Sequence, residues 1–273
     1  MLPSEEIISG QNLAARCDYV FAQMRDEGGR GVPVFAQNAP ALNGGEVVFC
    51  KTDYILALHD VLNECVPKHV PFSILTHDSD YPITREITRM FSSRPVRFYG
   101  MNMCCNTGHP VPIGVANSYC GITMKGQDLR KSTAPTRLLY VNHRVETYPQ
   151  DRAWLYPHFS CKNWCTVSQP YPKGDISRYR EELLDHKFVL CPRGNGIDTH
   201  RLWEALYCGV IPVVVRHRTH SPLEGILPIL FVDNYSEVDE RLLVECHERF
   251  SSTQWNTDAL TVSWWMNRIR SEK

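Results

Sequence analysis

Short apolar runs alternate with segments of helical spacing along most of this sequence. The apolar runs lie at residues 46–51, 71–76, 96–101, 137–141, 163–167, 188–191, 211–215 and 229–232. Helical patterns come between most of them, at residues 53–65, 84–91, 151–159 and 176–186. Strands that alternate with helices form parallel sheets with helices on both faces. The pattern therefore predicts an α/β fold, and the spacing of apolar residues over 13–24 predicts one more helix before the first strand.

Residues 102–136, rich in glycine, proline, asparagine and serine, have no convincing helix or strand pattern and separate the apolar runs into two groups. We therefore predict two Rossmann-like domains facing across a cleft, residues 1–120 and 121–254. A chain of 273 residues is long enough for both. The helix expected within residues 255–273 carries adjacent tryptophans, and we expect the N-terminal domain to supply the apolar surface that it needs. Ligands of such sheets bind at the carboxyl ends of the strands.

The composition argues against several classes of function. Twenty-nine Lys and Arg residues against 30 Asp and Glu residues give a net charge of −1, so no positive excess favours a phosphate backbone or an anionic membrane. We therefore expect no nucleic-acid partner. The longest apolar runs hold about seven residues, whereas a membrane-spanning helix needs about 20, and we expect no membrane span. The N-terminus lacks the charge order of a signal peptide, so we expect a cytoplasmic protein with buried free thiols at its eleven cysteines.

Residues 188–215 hold the most informative pattern, which is a strand, a glycine-rich turn, a helix, a glycine and a second strand. Gly194 and Gly196 flank Asn195 where the chain must turn sharply, because glycine adopts backbone angles that other residues avoid. Gly209 is placed to end the helix. A helix that begins beside such a turn presents free backbone N–H groups, which bind anions. The segment therefore predicts an anion site at the start of the helix.

Polar side chains surround the predicted start of this helix. Asp198 or Thr199 is suited to cap its free N–H groups. Arg193 precedes the turn, and His200 and Arg201 stand on the first helical turn, where their positive charge adds to that of the helix dipole. Phosphate is the ligand that this arrangement favours.

Two faces of the same helix differ in character. One carries an apolar stripe suited to packing on the sheet, formed by Leu202, Ala205 and Leu206. The other carries His200, Arg201 and Glu204, which would then face the cleft. A cation for a diphosphate and a carboxylate for ribose hydroxyls, one turn apart, suit a nucleotide. The alternative is a surface salt bridge between Arg201 and Glu204.

Common nucleotide-binding fingerprints do not fit this segment. Thr199 stands where G-x-G-x-x-G requires its third glycine, and the sequence has no G-x-x-x-x-G-K-[ST]. The order of residues instead resembles the nucleotide-sugar-binding signature of exostosin-family glycosyltransferases, which have the GT-B architecture. The resemblance rests on Cys-Pro-Arg-Gly at 191–194, on Arg201 three residues before Glu204-Ala205-Leu206, and on Gly-Val-Ile-Pro-Val-Val at 209–214. A looser resemblance is to the donor region of α1,3-fucosyltransferases.

Weaker matches extend the resemblance upstream, at residues 49–54, 74–81, 110–118 and 139–152. With them, the chain looks most like the small soluble exostosin-like transferases of large algal viruses, which include a xylosyltransferase. The resemblance implies an inverting transfer without metal or cofactor, from a nucleotide sugar held by the C-terminal domain. The implied donor is UDP-xylose. The implied acceptor is a glycan hydroxyl held by the N-terminal domain, such as one on an N-glycan of a viral capsid glycoprotein, in the host cytoplasm.

The same resemblance implies roles for individual residues of the donor site. Arg201 would bind the diphosphate and Glu204 the ribose, and Arg193 and the glycine-rich turn would line the same pocket. Arg152 matches the place of a second diphosphate-binding arginine in the fucosyltransferase-like pattern. A solvated arginine at a helix start is the alternative there, and Arg144 competes for the same role.

Inverting transfer also requires a base that takes the proton from the acceptor hydroxyl. Polar residues that follow the strand at 71–76 are placed for this role. Asp78 is our first choice because it is the carboxylate closest to the strand end, and Asp80 and His77 are the next candidates. A plainer role for Asp78 or Asp80 is to cap the helix that begins near residues 82–84.

Two alternative functions stay open. Asp78-Ser79-Asp80 spells D-x-D, which in GT-A glycosyltransferases holds Mn²⁺ against the donor diphosphate, so a manganese-dependent enzyme is one alternative. A non-catalytic glycan-binding protein on the same fold is the other. His217 and His220 have the spacing H-x-x-H after a strand, and we expect loop histidines there rather than zinc ligands. We therefore assign no metal ligand.

Overall fold

The computed structural model describes residues 2–120, 124, 128–129, 131–132, 134–171 and 175–271. The described strands form two sheets. The first contains β1 (Tyr19–Asp26), β2 (Gly31–Phe35), β3 (Val47–Lys51), β4 (Phe72–His77), β5 (Val96–Gly100) and β6 (His109–Pro110). The strand order is β2-β1-β3-β4-β5-β6. Only β1 and β2 pair antiparallel, so this described sheet is mixed.

The second sheet is parallel throughout its described strands. It contains β7 (Arg137–Val141), β8 (Cys165–Val167), β9 (His186–Leu190), β10 (Ile211–Val215) and β11 (Leu230–Val232). The strand order is β11-β10-β9-β7-β8. The described α-helices are α1 (Gly10–Ala14), α2 (Ile55–Cys65), α3 (Arg85–Met90), α4 (Pro149–Arg152), α5 (Leu155–Ser160), α6 (Ile176–Leu184), α7 (His200–Cys208), α8 (Glu240–Ser251) and α9 (Val262–Ser271).

The predicted α/β fold is confirmed, and most predicted strands are observed with shifts of one or two residues at their ends. The strands predicted at 137–141 and 211–215 are β7 and β10, residue for residue. All six residues of β4 are buried, as expected for a strand whose two faces are both covered. This burial explains why such strands form continuous apolar runs in the sequence.

The helix predicted at residues 13–24 is wrong, because most of that segment belongs to α1's end and to β1. The strand β1 lies inside the sheet, where Ala22 pairs with Phe35 of β2 on one side and with Cys50 of β3 on the other. These neighbours take up backbone hydrogen bonds on both sides, and tertiary pairing overrides the helical spacing. The edge strand β2 contains Pro33. Proline is tolerated at a sheet edge, but its presence in a short apolar run argues against a strand, so β2 was not predicted from the sequence.

The two sheets share a buried apolar core. One cluster joins Phe49 and Leu75 of the first sheet to Tyr140 and Val189 of the second, with Trp203 of α7 also in it. All five side chains are buried. The sheets are therefore joined by apolar packing as well as by the chain. The predicted boundary between residues 120 and 121 adjoins residues that lie outside the described part of the chain.

The C-terminal helix is shorter than predicted and lies against the N-terminal segment. It begins at Val262, after a 3-10 turn over Thr257–Leu260, and residues 272 and 273 lie outside the described residues. Glu6 accepts hydrogen bonds from the backbone N and the hydroxyl of Ser263, at 3.0 and 2.7 Å. Arg270 forms an ion pair with Asp18, with 3.0 Å between Nη1 and Oδ2. These polar contacts join the two ends of the chain.

All eleven cysteines are free thiols, as predicted. The predicted burial is wrong for six of them, because an apolar neighbouring sequence does not by itself bury a side chain. The five buried cysteines are Cys50, Cys105, Cys191, Cys208 and Cys246. Among the described helices, none has both the length and the apolar character needed to cross a bilayer.

Gly114 is a position where we expect substitution to destabilise the fold. It has φ 67°, and a Cβ atom there would lie 2.1 Å from the carbonyl oxygen of Ile8. Gly28 has the same φ but no atom within 4 Å of its Cβ position, so Gly28→Ala serves as the control. The left-handed conformation alone costs about 1 kcal/mol. We expect Gly114→Ala to lower the free energy of unfolding by a further ~1–3 kcal/mol in urea titrations, because of the added clash. Equal losses in the two variants would contradict this packing.

Candidate functional site

The glycine-rich turn leads from β9 into α7, as the sequence pattern predicts. Gly209 follows the last residue of α7 with φ 73°, the left-handed conformation that closes many helices. Thr199 is the N-cap residue by position, but its hydroxyl oxygen is buried and makes no hydrogen bond. The start of α7 therefore receives no side-chain cap, which differs from the prediction.

Asp198 joins the two halves of the chain and does not cap α7. Its carboxylate is buried and accepts hydrogen bonds from Ile113 N, at 2.8 Å, and from Trp203 Nε1, at 3.0 Å. His220 Nε2 lies 3.4 Å from the same carboxylate. Burial acts to raise the pKa of Asp198, but His220 and the hydrogen bonds hold it below the usual value. Both carboxylate oxygens of Asp198 are engaged by these contacts, so few of their hydrogen-bonding positions remain for a nucleotide sugar. The contacts favour a structural role for Asp198.

Asn102 holds the turn in place and was missed in the sequence. It is buried, with φ 54°, a conformation that asparagine tolerates better than most residues. Its Oδ1 accepts hydrogen bonds from Ile197 N and Asp198 N, at 2.8 and 3.0 Å, while Nδ2 donates to Ser79 O at 3.2 Å. A Cβ atom on Gly196 would lie 2.8 Å from Asn102 Nδ2. Gly196 is therefore needed for close packing on Asn102.

The remaining residues of the turn lie nearer to solvent. The guanidinium of Arg193 lies over the ring of Tyr148, 4.2 Å from its centre. Asn195 is exposed, and its Nδ2 donates a hydrogen bond to Asp80 Oδ2 at 3.3 Å. Gly194, which lies between these two residues in the sequence, is buried. The turn thus reaches across to the loop that follows β4.

Arg152 is buried and holds the turn by its backbone. Its side chain donates to three carbonyl oxygens, those of Arg193 at 2.7 Å, Arg144 at 2.7 Å and Pro192 at 2.9 Å. Only 6% of Arg152 is exposed, so it is not the solvated arginine of the alternative interpretation. Burial, followed by the charge of Arg201, lowers its pKa to about 10. Arg144 is exposed and contributes its carbonyl to these contacts.

Arg201 carries a charge that no described carboxylate neutralises by direct contact. Its Nε is buried and has no hydrogen-bond partner, and no described Asp or Glu oxygen lies within 4.0 Å of its guanidinium. The guanidinium carbon lies 5.7 Å from the ring centre of Tyr179. Burial acts to lower the pKa of Arg201, but Tyr179, Cys191 and Glu204 together hold it above the usual value. Arg201 is therefore a cation at the start of α7.

Glu204 is not the partner of a surface salt bridge, since only 3% of it is exposed. Its Oε2 accepts a hydrogen bond from the hydroxyl of Tyr179 at 3.0 Å, and its Oε1 accepts one from Met124 N at 3.1 Å. Burial raises the pKa of Glu204, against the opposing charges of Arg201 and His200. A ribose hydroxyl would have to share or replace one of these bonds, so the ribose role stays a prediction.

His143 is a buried histidine beside this cation. Its ring stacks on Tyr156, and its Nε2 lies 3.3 Å from Arg152 O. Burial, followed by the charges of Arg201 and Arg152, lowers its pKa to about 3. The imidazole is therefore neutral near pH 7, and a carbonyl can only accept, so the proton is on Nε2. The buried Nδ1, which has no partner, is then an acceptor.

His143 should make the stability of the protein depend on pH. Its folded pKa, about 3, lies below the unfolded value of about 6.5, so the unfolded chain binds the extra proton between these values. The free energy of unfolding therefore falls as the pH falls below about 6.5. We expect His143→Gln to flatten this dependence between pH 7 and pH 5 in urea titrations. His186, His217 and His247, whose pKa values burial also lowers, contribute equally in both proteins, so the difference between the two slopes belongs to His143. The same slope in both proteins would contradict the prediction.

A histidine and an aspartate form a buried pair at the end of β4. His77 Nδ1 lies 2.9 Å from Asp78 Oδ1, and His77 Nε2 lies 2.9 Å from Pro112 O. The carbonyl can only accept, so Nε2 carries a proton, and a second proton lies between Nδ1 and Asp78. Both ring nitrogens of His77 are therefore engaged. This geometry does not favour His77, the third candidate, as the base.

Asp78 lies in a strained position with little exposed surface. It has φ 57°, and 4% of its side chain is exposed. Its Oδ1 also accepts a hydrogen bond from Asn117 Nδ2 at 2.9 Å, and a Cβ atom on Gly10 would lie 1.8 Å from that oxygen. Burial acts to raise the pKa of Asp78, but His77 and Asn117 hold it below the usual value. The capping alternative is wrong for Asp78 and Asp80, because the N-cap residue of α3 is Thr84.

A cleft of about 520 Å³ opens at the carboxyl ends of β3 and β4. Four of the predicted site residues line it, namely Asp78, Asp80, Asn195 and His200. His200 is held by a contact of 2.8 Å between its Nδ1 and Gly114 O. Arg201 and Glu204 do not line this cleft. The structure thus brings the candidate bases together with the outer part of the turn, whereas the Arg201 cluster lies apart from that lining.

No group of three or more His, Cys, Asp and Glu residues is arranged to hold a metal ion in the part of the chain that the structure describes. His217 accepts a hydrogen bond from Thr219 N, at 3.1 Å, and His220 is buried beside Asp198. His217 therefore makes a local contact, whereas His220 contacts a residue 22 positions before it.

Comparison with known proteins does not assign the chain to a family. No protein-family model matches the sequence, and no curated protein matches it either. The resemblance to exostosin-family glycosyltransferases therefore rests on the residues of the sequence, chiefly 188–215, and stays a prediction.

Proposed function

We propose that this chain is an inverting glycosyltransferase of GT-B type, which transfers a sugar from a nucleotide sugar to a glycan hydroxyl. UDP-xylose is the donor that the sequence resemblance favours. The observation that carries the proposal is the buried, unpartnered Nε of Arg201 at the start of α7. A half-buried cation that no described carboxylate contacts directly is costly, and a diphosphate would supply the missing charge.

The helix and the turn complement Arg201 as a donor site. The uncapped start of α7 offers backbone N–H groups and the positive end of the helix dipole to an anion. Arg152 fixes the carbonyls of Pro192 and Arg193, so in this proposal it positions the turn and does not bind phosphate directly. Glu204 likewise has a positioning role, because it accepts a hydrogen bond from the Tyr179 hydroxyl and so holds that ring beside Arg201.

The reaction is a displacement at the anomeric carbon of the donor sugar. The acceptor oxygen bonds to that carbon while the bond from the carbon to the diphosphate oxygen breaks, and the configuration inverts. The proton of the acceptor hydroxyl passes to a carboxylate in the cleft, and the leaving diphosphate keeps the electron pair of the broken bond. Arg201 and the dipole of α7 stabilise the negative charge that develops on it.

Asp78 is the carboxylate that we propose as the base. His77 and Asn117 hold its Oδ1, whereas no described residue donates a hydrogen bond to its Oδ2. Fixing one oxygen orients the other toward a substrate in the cleft that Asp78 lines. Asp80 is the second candidate, since it is exposed in the same cleft and contacts only the amide of Asn195 among the described hydrogen-bond donors.

Activity should survive chelation of divalent metals. In this proposal Arg201 and α7 neutralise the leaving group, which is the task that Mn²⁺ performs in a D-x-D enzyme. We expect the same rate of UDP release with EDTA and with added Mn²⁺. Loss of activity in EDTA and its return with Mn²⁺ would instead assign Asp78 and Asp80 to a metal site.

A thermal-shift screen of nucleotide sugars, followed by assays of the hits, tests the proposed function. We expect UDP and UDP-xylose to raise the melting temperature, and UDP-xylose to be slowly hydrolysed when acceptor is absent. A non-catalytic glycan-binding protein would show neither effect. Stabilisation by another nucleotide sugar would change the donor and keep the reaction class.

A further inference from the structure

The positive side chain that lines the cleft already has a carboxylate partner. Lys51 is the one lysine or arginine in the described lining, and it forms an ion pair with Asp53 at the end of β3. Burial acts to raise the pKa of Asp53, but Lys51 and Ser79 hold it below the usual value. The two charges of this pair therefore cancel at the wall of the cleft.

The pair behind the cleft carries no net charge either. Asp78 and His77 share one proton, as their contact of 2.9 Å and the bond of His77 to Pro112 O require. Whether that proton is on the imidazole or on the carboxylate, the sum of the two charges is zero. His77 therefore offers no free positive charge to a ligand.

Asp80 is the charge that stays unbalanced in the cleft. It is exposed, and its hydrogen bond comes from the neutral amide of Asn195. Among the described residues, no Lys, Arg or His nitrogen lies within 4.0 Å of its carboxylate. An anionic group in this cleft would meet this unpaired carboxylate and no lysine or arginine without a carboxylate partner. The remaining basic side chain of the described lining, His200, has its Nδ1 bonded to Gly114 O.

An exposed aromatic ring completes the cleft. Tyr81 follows Asp80, and 63% of it is exposed although it lines the same space. The face of an aromatic ring packs against the C–H groups of a sugar ring without requiring a charge. Asn195, which is exposed, adds an amide group that can hydrogen-bond to hydroxyls, whereas the amide of Asn117 is buried and bonded to Gln11, Asp78 and Tyr119. A cleft of about 520 Å³ is within the range of small-ligand sites.

We infer that this cleft receives a neutral saccharide as acceptor and discriminates against uronic acids and against sulfated or phosphorylated sugars. The inference rests on the proposed function, to which it adds the chemical class of the acceptor. Asp53 acts as a specificity residue, because it occupies the ammonium of Lys51 that would otherwise bind an acidic sugar.

Matched glycosides that differ by one carboxylate test the inference. We would titrate the full chain, with UDP present, with p-nitrophenyl β-D-glucoside and the glucuronide, and with the galactoside and the galacturonide, by saturation-transfer NMR. We expect a neutral member of a pair to bind about fivefold more tightly than its acidic counterpart, since like charges repel at this range. Equal binding, tighter binding of the acidic members, or binding of none would overturn the inference.

Variants of the ion pair give the test a second readout. Asp53→Asn frees the ammonium of Lys51, and we expect the acidic member to bind at least as tightly as the neutral one. The double variant Lys51→Met/Asp53→Asn removes that cation and should restore the preference for the neutral member. No change of preference in Asp53→Asn, with the fold intact, would contradict the role of Asp53.

Parallel measurement of UDP affinity separates this inference from the proposed function. If UDP binds and the preference for neutral glycosides is missing, the acceptor class is wrong and the transferase proposal stands. If the preference is present and UDP does not bind, the cleft binds neutral sugars and the transferase proposal fails.

Discussion

Replacing Arg201 with methionine should weaken the binding of UDP by about 30- to 150-fold, or ~2–3 kcal/mol, because the diphosphate loses a charged hydrogen-bond partner. Methionine keeps most of the length and packing of the side chain against Tyr179. The affinity would be measured by isothermal titration calorimetry. Arg178→Met is the matched control, since Arg178 also lies over a tyrosine ring, 4.8 Å from the centre of Tyr171, but is exposed on α6.

A graded result would show how Arg201 acts. Arg201→Lys keeps a positive charge but loses the planar pair of donors that fits phosphate, so its UDP affinity should lie between those of the wild type and Arg201→Met. The melting temperature of each variant shows whether the fold is intact. Unchanged UDP affinity in a folded Arg201→Met protein would remove Arg201 from the donor site and leave the proposed function without its main support.

Asp78→Asn should lower kcat by ~10²–10⁴ while the affinity for the nucleotide sugar barely changes. Asparagine keeps the shape and most hydrogen bonds of Asp78, and it tolerates the observed φ of 57° better than other residues. The substitution therefore removes basicity with little other change. Initial rates of UDP release and calorimetric donor affinities would be measured on the same preparation.

Two neighbouring substitutions separate the possible bases. If Asp80 is the base, Asp80→Asn loses turnover and Asp78→Asn keeps it. If His77 only positions Asp78, His77→Gln should lower kcat by less than Asp78→Asn and leave donor affinity unchanged. Normal turnover in Asp78→Asn, together with an inactive Asp80→Asn that still binds donor, would move the base to Asp80.

The strands that the sequence predicts best are those buried on both faces. The run 211–215 is apolar because β10 lies between β9 and β11, so burial itself produces the signal. The strands β1 and β2 lie toward the edge of their sheet, where burial is partial. Their pairing depends on contacts between Ala22 and residues up to 28 positions away, such as Cys50, and no local pattern records such contacts.

The candidate site was predictable where its chemistry is local. The start of α7 and its end at Gly209 follow from neighbouring residues, and the structure agrees with both. Gly194 and Gly196 do not have a positive φ, so the backbone reason predicted for them is wrong, and Gly196 is needed instead for its close packing on Asn102. The partners of buried polar groups were not predictable. Asp198 bonds to Ile113, which is 85 positions away, and Asn102 bonds to Asp198 across 96 positions. Asp198 was therefore predicted to cap α7, but in the structure it holds distant segments of the chain together.

Asn102 connects the two proposed substrate sites through its hydrogen bonds. One side chain is hydrogen-bonded both to the turn before α7 and to Ser79, which lies between the two candidate bases. A donor that draws the turn toward its phosphates would therefore also move the loop that carries Asp78 and Asp80. Thermodynamic linkage then requires the reverse effect, so that an acceptor bound at those carboxylates changes the affinity for the nucleotide by the same factor. Donor and acceptor binding would then be coupled through Asn102, a buried side chain that lines neither site.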